Sequence, residues 1–105
     1  MSPEGKATVR HLIVFNAQAP EARVLEMAAV GQRELGAIAG VTDVRFGVSA
    51  DPTARYRYLF DIGFAGEAVI ESYRHDPRHV RFADEHFRPM APDRLTIDYI
   101  IRAGS

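Results

Sequence analysis

YRYLFDIGF, residues 56–64, alternates over its whole length: Tyr56, Tyr58, Phe60, Ile62 and Phe64 point one way and Arg57, Leu59, Asp61 and Gly63 the other. A period of two is the mark of a β-strand, and a face made only of aromatic and aliphatic groups must be buried. Such a strand needs partners with the same patterning, and the chain supplies three. Val9 to Phe15 (VRHLIVF) is rich in β-branched and aromatic residues, with Val9, His11, Ile13 and Phe15 on one face and Arg10, Leu12 and Val14 on the other. Val41 to Val48 sets Val44, Phe46 and Val48 against Asp43 and Arg45, and Leu95 to Arg102 sets Leu95, Ile97, Tyr99 and Ile101 against Thr96, Asp98, Ile100 and Arg102.

Helices fill the gaps. Pro20 suits a first helical position and Glu21 the positive first turn, and the helix is expected to run to about Ile38. Leu25, Ala28, Gln32, Leu35 and Ile38 mark its core face; Gly31 and Gly36 read as sites of close packing on the sheet, and Gly40 as the stop. Gly66 breaks the chain before a short helix from Glu67 to about His75, with Val69, Ile70 and Tyr73 inward. Asp76-Pro77 is an N-cap followed by a first-turn proline, opening another short helix through roughly Phe87, which Pro89 and Pro92 close.

The order β-α-β-β-α-α-β is that of the ferredoxin-like, split βαβ plan with an extra helical turn: an α+β fold with helices on one face of a four-stranded antiparallel sheet. One domain over residues 9–102 is expected, behind a flexible N-terminus of residues 1–8. The large apolar face of strands two to four should meet the helices. The opposite face mixes Leu12, Val14, Leu59 and Ile100 with Asp43, Arg45, Arg57, Asp61 and Asp98. That mixture is what a protein–protein face carries, although a wet sheet with scattered aliphatics has the same pattern.

Bulk composition narrows the function classes. The 105 residues are 47% apolar, enough for a packed core, and 13 basic against 14 acidic residues leave a formal charge of −1, with no pull toward nucleic acid or an acidic membrane. Arg74, Arg78, Arg81 and Arg88 are interrupted by Asp76, Asp84 and Glu85 and read as a solvated helical surface. The chain has no cysteine, which removes disulfides, thiolate metal sites and cysteine nucleophiles. No stretch approaches the ~20 apolar residues of a membrane span, and residues 1–8 do not read as a secretory signal, so the cytoplasm is the expected compartment.

The pieces VRHLIVF (9–15), IAGVTDVRFG (38–47), RYLFDIGF (57–64), SYRHDPRHVRF (72–82) and TIDY (96–99), taken in order, resemble the stress-responsive A/B barrel, or Dabb, family of dimeric α/β barrels. The resemblance implies that the open sheet face packs on a second copy of the chain to give a homodimeric barrel. The family holds plant stress proteins, a plant polyketide cyclase and many bacterial members without an established activity, so it implies a fold rather than a reaction.

It also points to residues. His11 and Tyr58 share the helix-covered face of the sheet, Tyr73 lies on the helix after strand three, and His79 sits in the first turn of the next one. In this fold the four could converge in an apolar pocket with a few polar groups, with Phe82 as a further lining residue. By resemblance to the family's cyclase, His79 is the general base and Tyr73 the group that stabilises an enol, with His11 lining the pocket. Histidine titrates near neutral pH, and a phenol can bond to a carbonyl oxygen as charge builds on it. The chain departs from the family at Asp76, where a histidine is common before the proline, at Tyr58, where the cyclase has histidine, and at Arg55, where the family has glycine. Each candidate also has a packing role open to it, as a core histidine, a helix-start decoration or a core aromatic. His75 and His79 are four apart, but Pro77 between them breaks the helix, so no metal is expected; Asp61 and Asp98, which could serve a magnesium ion, read as ion-pair partners of Arg45 or Arg57. No cofactor is expected.

The leading expectation is a homodimeric barrel that binds a small apolar or aromatic molecule and works on it without a cofactor as a cyclase, isomerase or lyase. A non-enzymatic stress-related dimeric module and a cofactor-free monooxygenase are the alternatives. A cavity of roughly 300 Å3 or more reaching His79 and Tyr73 favours ligand binding; an interior closed by Phe46, Phe60 and Phe82 favours the module.

Overall fold

In a computed structural model, which describes residues 7–102, the chain runs β1 (Val9–Phe15), α1 (Glu21–Gly36), β2 (Val41–Val48), β3 (Tyr58–Phe64), α2 (Ala68–His75), α3 (Pro77–Phe82), which continues as one π-helical turn (Ala83–Phe87), and β4 (Arg94–Ile100). The sheet order is β2-β3-β1-β4 with every neighbouring pair antiparallel, the ferredoxin-like topology. The expected N-terminal segment lies outside the described residues up to residue 6. Thr8 is tied to the sheet, its amide donating to the Phe64 carbonyl at 3.0 Å and its hydroxyl to the Ala65 carbonyl at 2.9 Å.

The core lies between the helices and the sheet face that carries Val9, Phe15, Tyr58, Phe60, Ile62 and Phe64, all buried. Phe60 meets Phe82 and Phe87 edge-on at centroid distances of 6.2 and 5.9 Å, and Phe15 meets Phe87 edge-on at 5.0 Å. Edge-on pairs suit the ring quadrupole and add to the area they bury.

α1 presents a face rotated slightly from the one its sequence suggested. Val24, Met27, Ala28, Gly31 and Leu35 are buried, with Ile38 just past the helix end, whereas Leu25 is 47% exposed and Gln32 reaches over the rim to donate to the Val44 carbonyl at 3.3 Å. Gly31 is the reason. A Cβ there would stand 2.7 Å from the Phe82 ring and 3.1 Å from the Phe60 ring, so the absent side chain admits two aromatics and sets which stripe of α1 faces inward. Gly36, expected to pack closely too, has open space around it. Gly40, in the turn between α1 and β2, adopts φ +89°, a conformation that side chains rarely take, and lies against Val69 of α2.

β4 differs from expectation in a way that matters for the site. Residues directly opposite in a sheet share a face, and the register pairs Asp98 with His11, Thr96 with Ile13 and Arg94 with Phe15. Asp98, Thr96 and Arg94 therefore face the helix side, while Leu95, Ile97 and Tyr99 join Val14, Leu12 and Arg10 on the open side. The apolar face of this strand turns away from the helices, because the edge strand takes its phase from pairing with β1 and not from helix cover.

The open face is therefore greasier than the sequence suggested. Leu95, Ile97 and Tyr99 are 49, 40 and 49% exposed there, beside the partly buried Leu12, Val14 and Leu59. Beside this band lies a charge cluster, with Arg10 directly opposite Tyr99 and Asp61 opposite Leu12. Arg10 bonds Asp43 through both terminal nitrogens at 3.0 and 3.1 Å and Asp61 through Nε at 2.7 Å, and Arg45 reaches Asp43 at 2.8 Å. Asp61 thus pairs with Arg10 rather than with Arg45 or Arg57, and Asp98 with neither. Burial alone would raise the Asp43 carboxyl, but its bonds to Arg10 and Thr42 outweigh that and hold it below the usual carboxylate range.

Candidate active site

On the helix side, between β1, β4, α2 and the α3 segment, the packing leaves a cavity of about 390 Å3. Its chemistry comes from His11, Tyr73, His79 and Asp98, and its apolar wall from Ile13, Ile70 and Phe87. A volume of this order is in the range of small-molecule sites.

Local sequence positions each group. His11 occurs in phase with the buried residues of β1. Tyr73 is the inward residue of α2 and is 2% exposed. The Asp76 side chain accepts from the Arg78 amide at 2.8 Å, and with Pro77 in the first turn it starts α3 anew, which carries His79 back over Tyr73. The rings of Tyr73 and His79 lie 4.4 Å apart, and His11 is 5.4 Å from Tyr73 and stacked on Phe64 at 5.4 Å. One tyrosine thus stands between two histidines.

The hydrogen bonds fix how each histidine presents itself. His79 Nδ1 lies 3.1 Å from the Arg74 carbonyl oxygen, which can only accept, so Nδ1 carries the proton and Nε2 of the neutral ring is a free base. Burial pushes the His79 imidazole below its ordinary pKa; the bond to Arg74 opposes this, His11 and Arg88 add to it, and Asp84 opposes it. His11 Nδ1 lies 2.5 Å from Asp98 Oδ1, a carboxylate that accepts from the ring and fixes its orientation. The Tyr73 phenol is pushed well above its usual range, first by burial and then by the charge of Asp98. It stays protonated as a hydrogen-bond donor, and its hydroxyl is not an orphan sealed in the core.

Of the residues singled out in the sequence, His11, Tyr73 and His79 converge on this cavity. Tyr58 and Phe82 do not line it. Tyr58 packs at the far end of β3 against Phe15 and Phe46, and Phe82 packs against Phe60 over Gly31. Asp98 is not among the residues the sequence points to, because the alternation of its strand, taken by itself, gives the opposite phase to its register with β1. The polar run Arg94, Thr96, Asp98 at alternate positions, matched against His11 across the strand pair, is the signal that finds it. Phe60 and Phe82 are buried in the core and the half-buried Phe46 packs on Phe60 at 5.5 Å, yet the cavity remains beside them. Among the described residues no three histidine or acidic side chains are grouped to hold a metal ion.

The chain matches the stress responsive A/B barrel (Dabb) family model over residues 9–101, nearly its whole length, and it belongs to that family. No curated protein matches it. Among solved structures it is similar to a Dabb protein with a ferredoxin-like fold from Mesorhizobium loti, 26% identical, with a TM-score of 0.81 over 93% of this chain and 100% of that one. A dimeric ferredoxin-like protein of unknown function from Thermobifida fusca is 21% identical, with a TM-score of 0.74 over 89% of this chain and 90% of the other. Hydroxynitrile lyase from Passiflora edulis is 18% identical with a TM-score of 0.78 over 92 and 95%, and a cofactor-independent oxygenase from Streptomyces nogalater 12% identical with 0.73 over 94 and 97%. At these identities the last three show a shared fold, on which enzymes of different reaction classes and proteins of unknown function both occur.

Proposed function

We propose that the protein is a homodimer that takes a small, largely apolar or aromatic carbonyl compound into this cavity and moves a proton at the carbon beside the carbonyl, without a cofactor, as a cyclase, isomerase or lyase does. The observation that carries the reading is the placement of His79 and Tyr73 in one cavity in complementary states. His79 is neutral with Nε2 free, and Tyr73 is protonated with its hydroxyl uncommitted to the core. His79 Nε2 removes the proton, and the Tyr73 hydroxyl donates a hydrogen bond to the carbonyl oxygen as negative charge collects there. His11, oriented by Asp98, lines the cavity beside Tyr73. That a lyase is built on this fold is consistent with such acid–base work.

The half-apolar open face supports the homodimer, as do the fold's known dimeric members. We further take the cytoplasm as its compartment, a choice with which the cysteine-free composition is compatible, and expect neither nucleic acid nor membrane as a partner.

Exchange at an acidic C–H is the direct test. The methylene protons of phenylacetone in D2O, followed by proton NMR, are expected to exchange faster with the protein than in buffer at the same pH. His79→Ala should abolish the acceleration while circular dichroism shows an intact fold. Exchange no faster than buffer, or unchanged in His79→Ala, would remove the assignment.

A further inference from the structure

The cavity that holds the two histidines is bordered by three guanidinium groups, Arg74, Arg88 and Arg94, against a single carboxylate, Asp98, which is already engaged by His11. Two of the three are committed elsewhere: Arg88 to Asp84 at 2.8 Å and Arg74 to Glu71 at 3.6 Å, neither acid being part of the cavity wall. Arg94 makes no ion pair among the described residues. One of its terminal nitrogens donates to the Ala91 carbonyl at 2.9 Å, which anchors the side chain and leaves its other donors unspent. A guanidinium is charged at every accessible pH and matches a carboxylate with two parallel hydrogen bonds. Along β4, Thr96 follows on the same face and then Asp98, so the helix-side edge of the strand runs from a free cation to the His11 pair.

We infer that Arg94 forms an anion subsite of this cavity and that the compound it accepts is a small oxo acid, whose carboxylate sits on Arg94 while its carbonyl meets Tyr73. The carbonyl half of this inference rests on the reading in the preceding section; the carboxylate half rests on Arg94 and stands separately. For an aryl oxo acid such as phenylpyruvate the step balances internally. His79 Nε2 takes a proton from the benzylic carbon, the C–H electron pair becomes the new C=C bond, and the carbonyl π pair moves to the oxygen held by Tyr73. Return of the proton to oxygen gives the enol, and return of a solvent deuteron to carbon gives the exchanged oxo acid. Anchoring the carboxylate at Arg94 fixes where the carbonyl and the acidic C–H lie relative to Tyr73 and His79.

The experiment compares phenylpyruvate with its methyl ester by calorimetric titration and by benzylic exchange in D2O, on wild type, Arg94→Gln, Arg94→Lys and His79→Gln, each checked by its melting curve. The wild type is expected to bind the acid about tenfold or more tightly than the ester, as a charge-assisted bond lost to esterification should cost. Arg94→Gln should erase that preference, and Arg94→Lys should restore part of it. Equal affinity for acid and ester, a preference that survives in folded Arg94→Gln, or no binding of the acid at all would overturn the inference. Exchange reports on the other reading. Arg94-dependent binding without His79-dependent exchange keeps the anion subsite and removes the proton-transfer chemistry; His79-dependent exchange of acid and ester alike, with equal affinity, does the reverse.

Discussion

His79 donates a hydrogen bond from Nδ1 to the Arg74 carbonyl and its pKa is lowered mainly by burial, and both facts have consequences in solution. A catalytic base with a lowered pKa keeps activity to lower pH than an ordinary imidazole, so the acid limb of the exchange rate should fall below the usual histidine value of about 6.5. The groups around it, His11 and Asp98 from the sheet, Arg74 from α2 and Asp84 and Arg88 from the π turn and its end, leave burial as the first cause. Stability should move in the same direction. The unfolded chain binds a proton at this histidine before the folded one does, so the His79 contribution is whole above about pH 6.5 and is lost as pH falls toward the folded value. A wild-type melting temperature that drops more steeply than that of His79→Gln between pH 7 and 5 is the expected result; parallel curves would contradict it. Tyr73→Phe keeps the ring packing and removes only the donor, and should lower the turnover rate by about a hundredfold or more with little change in melting temperature. A rate within a few fold of wild type would take the oxyanion role from it. Phase and helix position place the two histidines and the tyrosine on the helix side, and the family resemblance is what singles them out as site residues. Asp98 is legible from neither, since its place depends on which residue of β1 it meets.

At the scale of elements, Gly31 governs how α1 docks. In an exposed helix, alanine in place of glycine would gain about 1 kcal/mol. Here the new methyl would stand within contact distance of Phe82 and Phe60, both rings in the filled core. Overpacking of this kind costs about 1–3 kcal/mol, so Gly31→Ala should be net destabilising in denaturant titration, and Phe82→Leu in the same chain should recover part of the loss. A stabilised Gly31→Ala would mean that the helix sits further from the sheet. The periodicity of α1 showed a helix but not which of two overlapping stripes faces inward, because the stripes share Ala28 and Leu35 and the choice rests on a contact with α3, far along the chain. β4 illustrates the same limit. Alternation in Leu95–Tyr99 shows a strand, and one with an apolar face, but the face it turns to the helices is decided by its register with β1. The Asp76-Pro77 start of α3 was legible in full, because an N-cap and a first-turn proline act locally.

Across the whole molecule, the sheet has two working faces. One is closed by helices, with the cavity at its β1–β4 end. The other carries exposed Leu95, Ile97 and Tyr99, partly buried Leu12, Val14 and Leu59, and the mutually neutralised Arg10, Arg45, Asp43 and Asp61. The Arg10, Asp43 and Asp61 side chains are only 17, 26 and 21% exposed, so the cost of desolvation offsets much of their attraction, but the pairs can fix the orientation of a partner. A contiguous apolar band beside balanced charge is the composition of a subunit interface, and the most economical partner for it is a second copy of the same face. Ile97→Asp, which sets a charge in the middle of that band without touching the helix side, should give a folded monomer with its cavity intact. The mass of the unaltered protein in solution, by light scattering at micromolar concentration, tests the two-faced sheet most directly. Twice the chain mass is the expected value, and a clean monomer would contradict it.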